Sequence, residues 1–200
     1  MSGSLTRPYR MTARAEAVEA TAEGILDATA EAFWERPTDT ISLAEIARRA
    51  GTTKQTVLRH FDGKERLFAA AVERQFERAR AERAEVRSGD VAGAVRVLVA
   101  HYERLGDGVV RLLAEEARSP ALREIVERGR GVHAAWCGRT FAPALAGLAG
   151  ADRSRRLAQL VAICDVYVWK VLRRDRGLGP RQTETAMLEL LAPLVGRVEP

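Results

Sequence analysis

Residues 42–61, SLAEIARRAGTTKQTVLRHF, constrain the fold more than any other stretch of the chain. Ser42 and Glu45 stand at capping-box spacing, in which a serine hydroxyl and a glutamate carboxylate each satisfy a free backbone amide at a helix start. Leu43, Ile46, Ala47 and Ala50 then recur on one helical face. Gly51 ends this short helix, because the sharp turn that follows asks for a positive φ. A second short helix is expected over 53–61, with Ile46, Val57 and Phe61 burying the inner faces of the pair. Ala47 and Ala50 are small enough to let the two helices cross steeply, the arrangement of a helix-turn-helix. Thr53, Lys54, Gln55, Thr56, Arg59 and His60 are left on the outside. They offer donors, acceptors and threonine methyls, the groups that read base edges and grip phosphates in a major groove of double-stranded DNA. His60 suits packing as well as contact.

The flanking sequence builds a unit around this pair. A helix is expected over 13–35, with Val18, Ala22, Ile25, Leu26, Ala32 and Phe33 near one stripe and Thr29 lying on it too. Arg36-Pro37-Thr38-Asp39 ends it, since the residue before proline is biased away from helical dihedrals. Asp62-Gly63-Lys64-Glu65 offers a further cap with Asp62 as acceptor. It opens a long fourth helix to about residue 86, with Leu67, Phe68, Ala71, Val72 and Phe76 inward. Ser88-Gly89-Asp90 is the linker candidate. Beyond it the pattern stays helical over 91–105, 109–118, 120–148, 152–174 and 181–191. Pro120 suits a first helical position, whereas Pro143 and Pro193 should kink or end their segments. β-alternation of useful length is missing, so the fold is expected to be all-α.

Composition narrows the function. The net charge of +5 is mild for 200 residues. Over 43–66, however, Arg48, Arg49, Lys54, Arg59, Lys64 and Arg66 face only Glu45, Asp62 and Glu65. A DNA-binding surface needs only a few placed cations, because each neutralised phosphate releases counterions. No apolar run reaches the ~18 residues of a membrane span, and MSGSLTRPYR lacks the apolar core of a secretory signal, so a cytoplasmic, membrane-free protein is expected. Cys137 and Cys164 read as two buried thiols, and neither they nor His101 and His133 form a metal-ligand spacing. G-x-S-x-G, a P-loop and a dinucleotide fingerprint are all missing, so the chain is expected not to be an enzyme, with no catalytic residues, metal or cofactor. A helical adaptor or protein-interaction module without DNA binding is the competing class.

Residues 25–68, ILDATAEAFWERPTDTISLAEIARRAGTTKQTVLRHFDGKERLF, resemble the N-terminal DNA-binding domain of the TetR family of transcriptional regulators. The resemblance rests on Ile25-Leu26, Phe33, Ile46-Ala47, Ala50-Gly51, Phe61, Lys64-Glu65 and Leu67. Residues 165–178, DVYVWKVLRRDRGL, are similar to C-terminal regions of some members. The resemblance implies a three-helix reader with a long connecting fourth helix and a C-terminal helical domain for ligand binding and dimerisation. The corresponding division is a flexible basic arm over 1–12, a DNA-binding domain over 13–66 and a ligand-binding and dimerisation domain over 67–200. It also implies that 53–61 is the recognition helix, that Lys64 holds a backbone phosphate, and that Thr40 and Ser42 seat the preceding helix against phosphates. The family usually has an aromatic, often tyrosine, where this chain has Leu58, so that phosphate contact is lost or passes to Arg59 or His60. Arg7, Arg10 and Arg14 in the arm read as a groove or phosphate clamp, or as a disordered tail.

One recognition helix spans too few base pairs to specify a genomic site, so a homodimer on a palindromic operator is expected. Leu157, Leu160, Val161, Cys164, Val168 and Val171, with Met187, Leu190, Leu191, Leu194 and Val195, recur at helical spacing. They serve either a dimer face, which the family plan implies, or the core of one chain. His101, Tyr102, Trp136, Phe141 and Trp169 supply the aromatic walls and polar handles of an expected pocket for a small-molecule effector. Gly106, Gly108, Gly129, Gly131 and Pro143 mark places where helices could bend as ligand enters. The expected function is a sequence-specific DNA-binding transcriptional regulator, a repressor released from its operator by that ligand.

Overall fold

The computed structural model describes residues 7–118 and 120–196, the side chains of 7–14, 118 and 121 excepted. Among the described residues every regular element is helical, and no helix is long and apolar enough to cross a membrane. The chain divides into two compact units, Met1–Gln75 and Phe76–Pro200.

The first unit holds α1 (Arg7–Glu35), α2 (Leu43–Arg49), α3 (Lys54–Phe61) and the start of α4 (Lys64–Ala84). Helix α1 begins six residues before the expected start at Ala13, with Pro8 in its first turn, where a missing N–H costs nothing. The expected arm over 1–12 is therefore helical from Arg7. Its first six residues, and the side chains of Arg7, Arg10 and Arg14, lie outside the described residues. Ile25, Phe33, Ile41, Ile46, Val57 and Leu67 are at most 1% exposed and form the centre of the unit. Thr29 lies within it, its hydroxyl donating to the Ile25 carbonyl at 2.7 Å, so the buried polar group is satisfied. Arg74 on α4 reaches back to Glu23 and Asp27 and donates to the Glu23 carbonyl at 3.0 Å, fastening α4 to α1.

The second unit is built on α5 (Val91–Glu115), with α6 (Pro120–Thr140), α7 (Ala142–Leu145), α8 (Gly150–Ile163), α9 (Val166–Lys170) and α10 (Pro180–Val195). Two expected boundaries fail here. Helix α5 runs unbroken through Gly106 and Gly108 where two helices were expected. The segment expected as one helix over 152–174 breaks at Cys164, because the Asp165 carboxylate accepts from the Tyr167 amide at 2.9 Å and starts α9 afresh. It then widens into a π-helical turn over Val171–Asp175. Pro143 sits in the first turn of α7, separating it from α6 as expected. Pro193 lies inside α10, which ends two residues later at Val195.

Trp169 explains the continuity of α5. Its ring is wholly buried and lies where a side chain at Gly106 would stand. Glu103, one turn earlier, accepts from the indole Nε1 at 2.8 Å and from Arg173 through two bonds of 2.6 and 2.7 Å. Arg174 stacks over the same ring at 4.6 Å and pairs with Asp107. The Arg173 guanidinium holds the Glu103 carboxyl below the usual carboxylate range, against the opposing effect of burial. Gly106 thus serves close packing against Trp169.

Gly106→Ala should cost about 1–3 kcal/mol, because the new methyl must displace the Trp169 ring. Gly131→Ala, on α6 with nothing within 4 Å of the added carbon, should gain about 0.5–1 kcal/mol. Urea melts with unchanged slopes would show this as midpoints moving in opposite directions. Equal shifts in one direction would sink the packing argument.

Candidate nucleic-acid interface

Helix α2 starts at Ser42, whose hydroxyl accepts from the Glu45 amide at 3.2 Å. Only this half of the expected capping box forms. The Glu45 carboxylate turns away to Arg36 and to Arg49, the latter at 3.1 Å. Arg49 also takes Glu35 through bonds of 2.8 and 2.6 Å, and this guanidinium holds the Glu35 carboxyl below its ordinary range. Gly51 makes the turn at φ +65°, and the Thr52 amide donates back to the Ala47 carbonyl at 2.8 Å. Thr53 caps α3, accepting from the Thr56 amide at 3.1 Å, and the two threonine hydroxyls lie 2.9 Å apart.

Burial fixes how α3 is turned. Val57 is 0% exposed and faces inward, while Thr56, His60 and Phe61 are half-buried beside it. Lys54, Gln55, Leu58 and Arg59 are exposed. At 100° per residue these four span a stripe of about 140°, with Leu58 between Lys54 and Gln55 in angle. Leu58, at 40% exposure, is an aliphatic side chain held in water at the middle of an otherwise polar face. The sequence pattern had marked it only as a departure from the family's aromatic.

The other expected contact residues fall around this stripe. Thr40 is exposed, its hydroxyl donating to the Pro37 carbonyl at 2.7 Å. Ser42 and Thr53 are exposed caps whose oxygens are partly used by their own helices. His60 is half-buried with its ring 6.1 Å from that of Phe61, which favours the packing alternative. Lys64 opens α4 with its ammonium 5.9 Å over the Phe68 ring. Asp62 does not cap α4 as expected. It ends α3 in the left-handed region at φ +52° and pairs with Arg66 at 3.0 Å, while the Gly63 carbonyl accepts from the Leu67 amide. Arg48, Lys54, Arg59 and Lys64 have no carboxylate partner among the described residues. Arg48 is exposed at the end of α2 and was not among the expected contacts.

The expected pocket residues lie in the second unit. Tyr102, Trp136, Phe141 and Trp169 all belong to its buried core, and His101 is 6% exposed beside Tyr102. Tyr102 approaches Trp169 and Trp136 approaches Phe141, with ring centroids 5.9 and 6.4 Å apart. Burial pushes the His101 imidazole down to about 3, helped by Arg83 and Arg104, and its Nδ1 makes no hydrogen bond among the described residues, with Glu82 Oε2 3.8 Å away. Among the described residues no group of three or more His, Cys, Asp or Glu is placed to hold a metal. Of the apolar residues expected on a dimer face or in a core, Leu160, Cys164, Met187 and Leu191 close the core of this unit, at 0% exposure. Val171 and Leu190, at 44% and 49%, stay half in water, as does Tyr167 at 49%.

Residues 25–71 match the model of the bacterial regulatory proteins, tetR family. An uncharacterised HTH-type transcriptional regulator of Mycobacterium tuberculosis is 33% identical over 148 residues, which cover 74% of this chain and 63% of that protein. The matched stretch thus spans under two thirds of the curated relatives' length. A tetR-family transcriptional regulator from Streptomyces coelicolor superposes with a TM-score of 0.74 at 19% identity, covering 88% of this chain and 80% of that one. AibR, solved in complex with isovaleryl coenzyme A and operator DNA, superposes with a TM-score of 0.65 at 16% identity, covering 89% and 100%. At these identities the two structures speak for a common fold. Residues 25–71 thus carry both the sequence pattern and the helix-turn-helix geometry of the bacterial regulatory proteins of the tetR family, and the chain shares its fold with the solved tetR-family regulator.

Proposed function

We propose that this chain is a sequence-specific, DNA-binding transcriptional regulator of the cytoplasm, with α3 as its recognition helix, and that it performs no catalysis. The observation that carries this reading is the exposed stripe of Lys54, Gln55, Leu58 and Arg59, set on a helix whose rotation Val57 fixes. Lys54 and Gln55 offer a donor and a bidentate amide to base edges, while Leu58 offers an apolar surface to a thymine methyl. Arg48, Arg59 and Lys64, free of carboxylates, supply phosphate contacts that fix register without reading sequence. Thr40 and Ser42 seat α2 against the backbone, and the hydroxyls of Thr53 and Thr56 add contacts at the start of α3.

The regulator acts in this reading as a homodimer, because two recognition helices on successive major-groove faces supply the specificity that one lacks. Tyr167, Val171 and Leu190 give the last helices an apolar face for that pairing. A small-molecule effector enters near His101, Tyr102, Trp136, Phe141 and Trp169 and favours a state in which the two helices no longer match the grooves, so the protein represses until the ligand binds. Support for this half comes from AibR, whose structure holds isovaleryl coenzyme A and operator DNA.

Selection of bound duplexes from a random pool tests the reader and the dimer together. A palindromic consensus is expected, and failure to enrich any sequence at low salt would favour a helical adaptor. In fluorescence anisotropy, Lys64→Ala should weaken binding to all duplexes alike and reduce the salt slope by about one. Gln55→Ala, Lys54→Ala and Leu58→Ala should each relax preference at one base position, by about 1–3 kcal/mol for the polar pair. Uniform losses from all four substitutions would refute this division of roles. Leu190→Arg should convert a dimer to monomer in sedimentation while leaving helicity intact. An unchanged sedimentation coefficient would remove α10 from the dimer face.

A further inference from the structure

Helix α6 and the end of α8 bring together the only two cysteines of the sequence. Cys137 lies on α6 and Cys164 ends α8, both wholly buried and unbridged in one core, each perturbing the other's ionisation. One turn before Cys137, His133 places its Nε2 3.8 Å from the Cys137 sulfur. The other ring nitrogen, Nδ1, lies 3.4 Å from Nη1 of Arg83 on α4.

This geometry fixes the direction of the hydrogen bonds. A guanidinium only donates, so Nδ1 of His133 accepts and the neutral ring carries its proton on Nε2. That N–H then donates to the Cys137 sulfur. Trp136 anchors the far end, with Arg83 over its ring at 5.6 Å, its indole donating to the Arg83 carbonyl at 3.1 Å, and His133 stacked on it. Arg83 has no carboxylate partner among the described residues, and its Nε is buried without a partner. The cluster thus holds a fixed positive charge and a donor aimed at the Cys137 sulfur. It is poised to stabilise a thiolate.

We propose that Cys137 and Cys164 are a reactive dithiol, in which Cys137 is the nucleophile and Cys164 the resolving thiol, oxidised by hydroperoxides to a disulfide joining α6 to the end of α8. The Cys137 thiolate attacks one peroxide oxygen and the O–O bond breaks. The departing alkoxide, or hydroxide from hydrogen peroxide, takes a proton from water, leaving a sulfenic acid on Cys137. The Cys164 sulfur then attacks that of Cys137, and its proton leaves with the sulfenic hydroxyl as water. Two thiols and one peroxide yield one disulfide, one water and one alcohol, or a second water.

The two thiols are pushed apart in the matching sense. The neighbouring Cys164 thiol, together with His133 and Arg83, draws the Cys137 thiol below its ordinary range against the effect of burial. The Cys137 thiol and burial push Cys164 up, with Asp165 adding to the effect. Tyr102, whose hydroxyl donates to the Cys164 carbonyl at 3.0 Å, is itself raised by burial and stays protonated. Hydrogen peroxide is close to water in size and can reach a buried pair through local opening.

The test uses the purified full chain and hydrogen peroxide, reads thiols and mass, and needs no DNA, so it stands apart from the regulator reading. Both thiols should disappear together, with the loss of two hydrogens in mass, one intrachain cross-linked peptide, and full reversal by dithiothreitol. Cys164→Ser should stop at a sulfenic acid on Cys137 that dimedone traps, while Cys137→Ser should leave Cys164 unmodified at the same dose. His133→Gln keeps both thiols and should slow oxidation about tenfold at pH 5, below the Cys137 midpoint, the effect of about one pKa unit on the thiolate fraction. Its pH midpoint for thiol loss should move upward. Circular dichroism confirms that each variant is folded. The proposal is overturned if folded wild type keeps both thiols, if the cross-link forms between chains, if dimedone labels Cys164 in place of Cys137, or if His133→Gln leaves rate and midpoint unchanged.

Discussion

Helix α3 has eight residues, too few to be stable alone, so its position and its rotation are both borrowed from what it packs against. Val57 is the contact that decides the rotation. With that side chain sealed among Ile46 and the other buried residues of the first unit, Lys54, Gln55, Leu58 and Arg59 are forced outward. A turn of α3 by one residue toward Leu58 would draw Lys54 and Gln55, which flank it, toward the core without partners, and that costs far more than a marginal helix can supply. The reading face is therefore specified from behind.

Ion pairing sharpens the same face. Glu35 and Glu45 are consumed by Arg36 and Arg49, whereas Arg48, Lys54, Arg59 and Lys64 are left without carboxylates among the described residues. Exposed ion pairs contribute little to stability, on the order of 0–1 kcal/mol. Their effect here is to choose which cations remain available to phosphate.

The parts of the fold legible in the sequence were those set by local chemistry. Ser42, Gly51 and Thr53 bound two helices through caps and one turn, and their signals lie within a few residues of the structure they make. Pro143 separated α6 from α7 for the same reason. Continuity of α5 was illegible, because the glycines that suggested a break are explained only by Trp169, more than sixty residues away in sequence. Glu45 fits a capping box by spacing, yet Arg36 and Arg49 outbid the backbone amide for its carboxylate. The break at Cys164 carried a readable signal in Asp165, a good cap that the apolar run around it masked. At the site, the polar stripe was legible from residue type and spacing. The central place of Leu58 and the pairing state of each cation depend on tertiary contacts and were not.

Gly106 and Trp169 make one object out of two positions. Glycine has no smaller replacement, and every single-step change there adds a carbon where the indole already stands. Drift can pass through this place only if the ring at 169 shrinks first, so the two positions should covary among descendants of this sequence. Glu103, Arg173 and Arg174, which hold that ring from its edge and face, would lose their reason to persist together with it.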